Sequence, residues 1–156
     1  MTALNTLLSQ AEGERNKAMV ALRRAEDHVR RLRAQTEQLS GYRADYQRRW
    51  AGQFSRQGTM EIVQCYQTFT QRLDEALAQQ QRQTDSALAQ AATLREALLA
   101  AELRVASVRK LIERRQFELR QAEDRRAQRQ TDETAQHVHW RAAQADSARN
   151  EATTQP

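Results

Sequence analysis

The chain has 156 residues, 29% of them charged and 39% hydrophobic, with a formal net charge of +5, an isoelectric point near 10.1 and a mean hydropathy of −0.91. That is too little apolar surface for a thick globular core, and no run approaches the ~20 apolar residues that a membrane helix needs. Cys65 is the single cysteine, which rules out an internal disulfide and a cysteine-based zinc site and suits a reducing cytoplasm.

The strong helix formers Ala, Leu, Arg, Gln and Glu dominate, and the one proline is Pro156, so nothing in the body of the chain forbids helix. The N-terminal stretch has no basic run and carries Glu12 and Glu14, so a secretory signal is not expected. From there apolar residues recur with a heptad period, at alternating steps of three and four. With Leu8 as an a position, Leu22, Val29 and Trp50 are also a, and Ala11, Leu32, Leu39 and Tyr46 are d. This predicts a first helix over 3–52 with a coiled-coil seam. The pattern stops in AGQFSRQGT, which holds Gly52 and Gly58, so a turn is expected over 53–59. Thr59 can cap the next helix, and Glu61 in its first turn suits the helix dipole. A second helix follows over 60–140, with Val63, Thr70, Leu77, Thr84, Ala91, Leu98, Val105, Ile112 and Leu119 at a of a seam that loses its apolar content after Ala122. Tyr66, Leu73, Gln80, Ala87, Leu94, Ala101, Val108 and Ala122 stand among its d positions.

Two seams around one break predict an all-α fold, two long helices forming an antiparallel coiled-coil hairpin. Folding about Gly58 sets Trp50 against Tyr66, Leu39 against Leu77 and Ala11 against Val105, so that small residues often meet large ones. Thr36 would face Gln80 in a polar layer that helps hold the register. Met1 then runs out near residue 115, leaving the C-terminal helix overhanging. Residues 1–145 are expected to make a single hairpin domain, and the polar stretch 146–156 a disordered tail.

The chain offers no catalytic constellation and implies no enzyme, metal or cofactor. Its glycines are isolated, so there is no phosphate loop. His137 and His139 are two apart on a helix and point to nearly opposite sides, and His28 is remote, so joint metal binding is disfavoured. Cys65 sits at a c position beside the seam, where a buried or half-buried structural thiol is expected. Glu26 with Arg30, Asp27 with Arg31 and Asp45 with Arg49 have the i, i+4 spacing of a solvated helix face. Between Arg104 and Arg129, nine Arg or Lys face four Asp or Glu, a local net of +5. With acids interleaved and few aromatics for base stacking, this stretch suits a protein partner or an anionic surface better than nucleic acid. Six of the eight aromatic residues lie between 42 and 69. Trp50, Tyr46 and Tyr66 belong to the seam. Tyr42 and Phe69 are g positions, expected side by side on one exposed flank, where an aromatic patch marks a binding surface.

The segments LSGYRADYQRRW (39–50), YQTFTQRLDEALAQQ (66–80) and RKLIERRQFELRQAEDRRAQRQTDETAQ (109–136) resemble the flagellar export protein FliJ, over about Leu4 to Gln136. The resemblance implies a non-enzymatic, soluble component of the flagellar type III export apparatus, serving flagellum biogenesis, motility and chemotaxis. It would stand like a rotor stalk in the hexamer of the export ATPase FliI, promote ring assembly and activity, and couple the ring to the export gate FlhA. It would also handle export chaperones for late flagellar substrates. It implies a cytoplasmic location, peripheral at the inner membrane through those partners, and no cofactor. The family's gate-binding face carries over to Gln35, Leu39, Tyr42 and Tyr46 of the first helix and to Phe69, Leu73, Ala76 and Gln80 of the second. The family member behind this correspondence has a histidine at the position of Gln80. The ATPase-docking part is expected on the basic stretch, at Arg109, Lys110, Arg114, Arg115, Arg120, Arg125 and Arg126. The alternatives are the equivalent central stalk of a virulence type III secretion system, a generic homodimeric coiled-coil scaffold and a nucleic-acid binder.

Overall fold

The computed structural model describes all residues except Ser55, Gln57 and 154–156, and no side chain at Phe54. Helix α1 spans Thr2–Phe54 and helix α2 spans Met60–Ala152. No strand occurs among the described residues, and the two helices pack against each other as a hairpin. The expected ends of α1 are displaced by one or two residues, an ordinary scatter for helix termini. Much of the expected turn at 53–59 lies inside α1 or outside the described residues. At the start of α2 the Val63 N–H donates to the Thr59 carbonyl at 3.2 Å, which makes Thr59 the capping residue, and Glu61 lies in the first turn.

The largest departure is at the far end. Helix α2 was expected to stop near Trp140 and the chain to be disordered from 146; instead the helix continues to Ala152. The physical reason is visible in the residues. Between 141 and 152 there is no proline or glycine, and Ala, Arg, Gln and Glu predominate. Loss of the apolar seam removes a packing partner, not the backbone's preference for helix. The rest of that expected tail, 154–156, lies outside the described residues.

The chain divides into two units, one of Thr6–Ala106 and one of Met1–Asn5 with Ser107–Pro156. In the first, cross-helix ion pairs set the direction of the strands of the coil: Glu14 Oε2 lies 2.8 Å from Arg104 Nη1, Glu26 Oε1 3.1 Å from Arg95 Nη2, and Asp74 Oδ1 2.8 Å from Arg43 Nε. As the α1 partner moves from 14 to 43, the α2 partner moves from 104 to 74, so the helices are antiparallel. The Arg43–Asp74 contact is an attraction of charges, since the Nε hydrogen is not aimed at a partner. These exposed pairs contribute at most about 1 kcal/mol each and choose register more than they supply stability.

Stability comes from the seam. The buried residues are Ala11, Leu22, Val29, Leu32, Thr84, Ala87, Ala91, Val105, Val108 and Ile112. Every one is an a or d position of the two predicted heptad registers. Val29, Leu32, Ala87 and Ala91 form one cluster, with Ala25 packed on it. The small alanines of α2 let the branched side chains of α1 approach closely. The polar layer forms with different partners from those expected. Gln80 Nε2 donates to Gln35 Oε1 at 2.9 Å and lies 3.5 Å from the Leu32 carbonyl, while the Thr36 hydroxyl donates to that carbonyl within its own helix at 2.9 Å. Thr84 likewise donates to the Gln80 carbonyl at 2.9 Å, which explains how a threonine is tolerated in the seam.

In the second unit, Val108 and Ile112 are buried, and every described residue from 113 onward is exposed, Leu119 included. Gly13, in α1, has no positive φ, and a Cβ built on it meets nothing within 4 Å. Gly13→Ala is therefore expected to stabilise the fold by about 0.5–1 kcal/mol through helix propensity alone. Thermal melting checks this; a lower melting temperature would show a close contact at that backbone.

Candidate functional site

The eight residues of the expected face all fall at d or g positions of their helices, on one side of the seam within Thr6–Ala106. Structure brings them together at both ends of the face. Near the turn, the Tyr46 and Phe69 ring centroids are 4.3 Å apart at an interplanar angle of 41°. At the other end the Gln35–Gln80 hydrogen bond joins the helices. Leu39, Leu73 and Ala76 lie half-buried between these two contacts, so the floor is apolar and the rims are polar and aromatic.

Tyr46 is the hub of the rings. It stacks on Tyr66 at 5.9 Å and 13°, and meets Trp50 at 6.0 Å; Trp50 and Tyr66 are 5.0 Å apart. The expected Trp50–Tyr66 layer is thus present. The expected pairing of Tyr42 with Phe69 takes another form. Phe69 turns to Tyr46 and is 44% exposed, while Tyr42 is 69% exposed. A seam ring offers more contact than a second flank ring, and each aromatic pair contributes about 0.5–1.5 kcal/mol beyond its buried area. Tyr42 is left as a large ring whose surface the fold does not use.

The basic residues occupy the other unit. Arg109, Lys110, Arg114, Arg115, Arg120, Arg125 and Arg126 are all exposed. Lys110 lies 3.5 Å from Glu113, and Arg114 and Arg115 lie 3.6 and 3.7 Å from Glu118, all within the helix. Arg125 Nη2 is 3.4 Å from Gln121 Oε1. Local pairs of this kind are weak and exchange readily for a partner's carboxylates.

Other expectations are corrected. Cys65 is exposed, not buried or half-buried, because a two-helix coil is too slender to cover a c position. Asp27 pairs with Arg30 and Asp45 with Arg48, each three residues on, instead of with Arg31 and Arg49. Glu26 crosses the seam to Arg95 instead of pairing with Arg30, since its e position flanks the facing helix. Sequence reasoning also missed a concavity at the turn with Arg48, Arg49 and Arg56 in its wall. The signal was present in RRW and the following arginine, but it straddles the break between helices, where no periodicity links the residues.

The family model described as "Flagellar FliJ protein" matches residues 1–144. No curated protein and no solved structure gave a match.

Proposed function

The chain belongs to the flagellar FliJ protein family and so to the components associated with flagellar type III export; on that premise we propose that it acts as the non-enzymatic stalk between the export ATPase and the export gate. Its basic helical stretch from Arg109 to Arg126 docks in the FliI ring. A ligand that binds the assembled hexamer and not its separate subunits shifts the equilibrium toward the hexamer, and ring formation and ATP hydrolysis rise together. Guanidinium groups suit that task, since each presents a planar fork to a carboxylate and stays charged at any physiological pH.

The face of Gln35, Leu39, Tyr42, Tyr46, Phe69, Leu73, Ala76 and Gln80 binds the gate FlhA, with Tyr42 as the anchor. An apolar floor with a polar and aromatic rim is the anatomy of a binding hot spot. Export chaperones for late substrates are held transiently by the same hairpin, and the protein works at the cytoplasmic side of the inner membrane through its partners. Among the described residues no helix is long and apolar enough to cross a membrane. The observation that carries the reading is the family match over 1–144 on a two-helix hairpin, with the Tyr46–Phe69 ring contact and the exposed Tyr42 on the predicted face. A pull-down with the tagged chain from a motile bacterium tests it: FliI and FlhA are expected in the eluate, and the absence of both contradicts the proposal.

A further inference from the structure

Where the last turns of α1 approach the start of α2, Arg48, Arg49, Trp50, Gly52, Arg56 and Ile62 line an open concavity of about 630 Å³. Positions 48, 49, 52 and 53 share one side of α1, which is how two adjacent arginines come to flank a glycine. Arg48 pairs with Asp45, but both side chains are largely exposed, at 76% and 57%, so the pair is weak and exchangeable. Arg49 and Arg56 have no ion pair among the described residues. Asp45 and Glu61 are the only carboxylates between 45 and 62, so the concavity keeps a positive excess.

Two further observations give it a ligand class. Gly52 has no positive φ, and a Cβ there meets nothing within 4 Å, so neither backbone nor packing asks for glycine. A helical glycine costs about 0.5–1 kcal/mol against alanine. What it does is leave room beside the guanidinium groups. Among the lining residues Ile62 is an apolar side chain in water, 39% exposed. A small free anion favours an enclosed polar cradle. An open basic cup edged by an isoleucine and a tryptophan matches the surface of an anionic bilayer, where phosphate lies above acyl chains.

We propose that this tip is a binding site for the phosphate headgroups of anionic phospholipids. The arginines take the headgroup phosphates in bidentate contacts while Ile62 enters the acyl boundary. The site orients the hairpin so that the neighbouring ring face, at Tyr42 to Phe69, stands close to the membrane. The assay is flotation of the full chain with phosphatidylcholine vesicles, with and without phosphatidylglycerol. It contains no ATPase or gate protein, so its outcome is separate from that of the partner experiment. Binding is expected only with the anionic lipid. R48Q/R49Q/R56Q, which keeps good helix formers, is expected to lower partition on the order of 100-fold, at roughly fivefold per arginine. R23Q/R24Q/R31Q removes the same charge from exposed positions elsewhere and is expected to change partition less than about threefold if the tip is the site. No flotation with anionic vesicles overturns the proposal. So do equal losses in the two variants, which would mean diffuse charge attraction, and full competition by millimolar inorganic phosphate, which would mean a small-anion site.

Discussion

Leu32→Ala is expected to destabilise the hairpin by about 2–3 kcal/mol, while Leu103→Ala changes stability by less than about 0.5 kcal/mol. The two leucines lie on helices of similar composition and differ in their place on the heptad. Leu32 is a d residue, 7% exposed, inside the cluster with Val29, Ala87 and Ala91. Leu103 is 61% exposed on the outer side of α2. Truncating Leu32 leaves a hole beside Ala87 and Ala91, side chains too short to fill it. The Gln80 amide near the Leu32 carbonyl also stands at that layer, so water can enter and loosen the polar register lock. In urea, the Leu32→Ala midpoint falls and the Leu103→Ala midpoint does not. Equal losses would mean that the seam is not where stability resides.

Tyr42→Ala is expected to weaken binding to the gate protein by about 30-fold or more, the loss of a hot-spot residue, with melting changed by less than about 0.5 kcal/mol. The separation of the two effects is what the structure adds. Phe69→Ala also removes a ring contact with Tyr46 at 4.3 Å, so its effect mixes binding with a stability loss of about 0.5–1.5 kcal/mol. Tyr42, 69% exposed, carries no such confusion. Titration calorimetry against the purified gate domain, with circular dichroism melts of the same samples, measures both. If Tyr42→Ala binds like the parent chain, the aromatic flank is not the docking surface.

Much of this architecture is written in the heptad pattern because a two-helix coil has only one seam. Val29 and Ala91 could be assigned to it without knowing anything else about the fold, and the direction of the hairpin followed from the single glycine-bearing break. What lies off the seam was less legible. Cys65 sits at a c position, and its exposure depends on how narrow the coil is, not on its neighbours in sequence. Phe69 and Tyr42 share a heptad position, yet the stronger contact with Tyr46 separates them. The end of α2 at Ala152 was less legible because no glycine or proline marks a stop between 141 and 152, where alanine, glutamine and arginine hold helix without a seam. The arginines of the tip come from two sides of a helix break, so only the folded chain shows them around one concavity.

The stalk reading stands most directly on ATP hydrolysis by the purified export ATPase, measured with and without stoichiometric amounts of this protein and paired with the mass of the ATPase assembly. The account predicts that hydrolysis and the hexamer fraction rise together when the chain is added, and that a chain with Arg109, Lys110, Arg114, Arg115, Arg120, Arg125 and Arg126 changed to Gln raises neither. Unchanged hydrolysis and unchanged assembly with the native chain would contradict it.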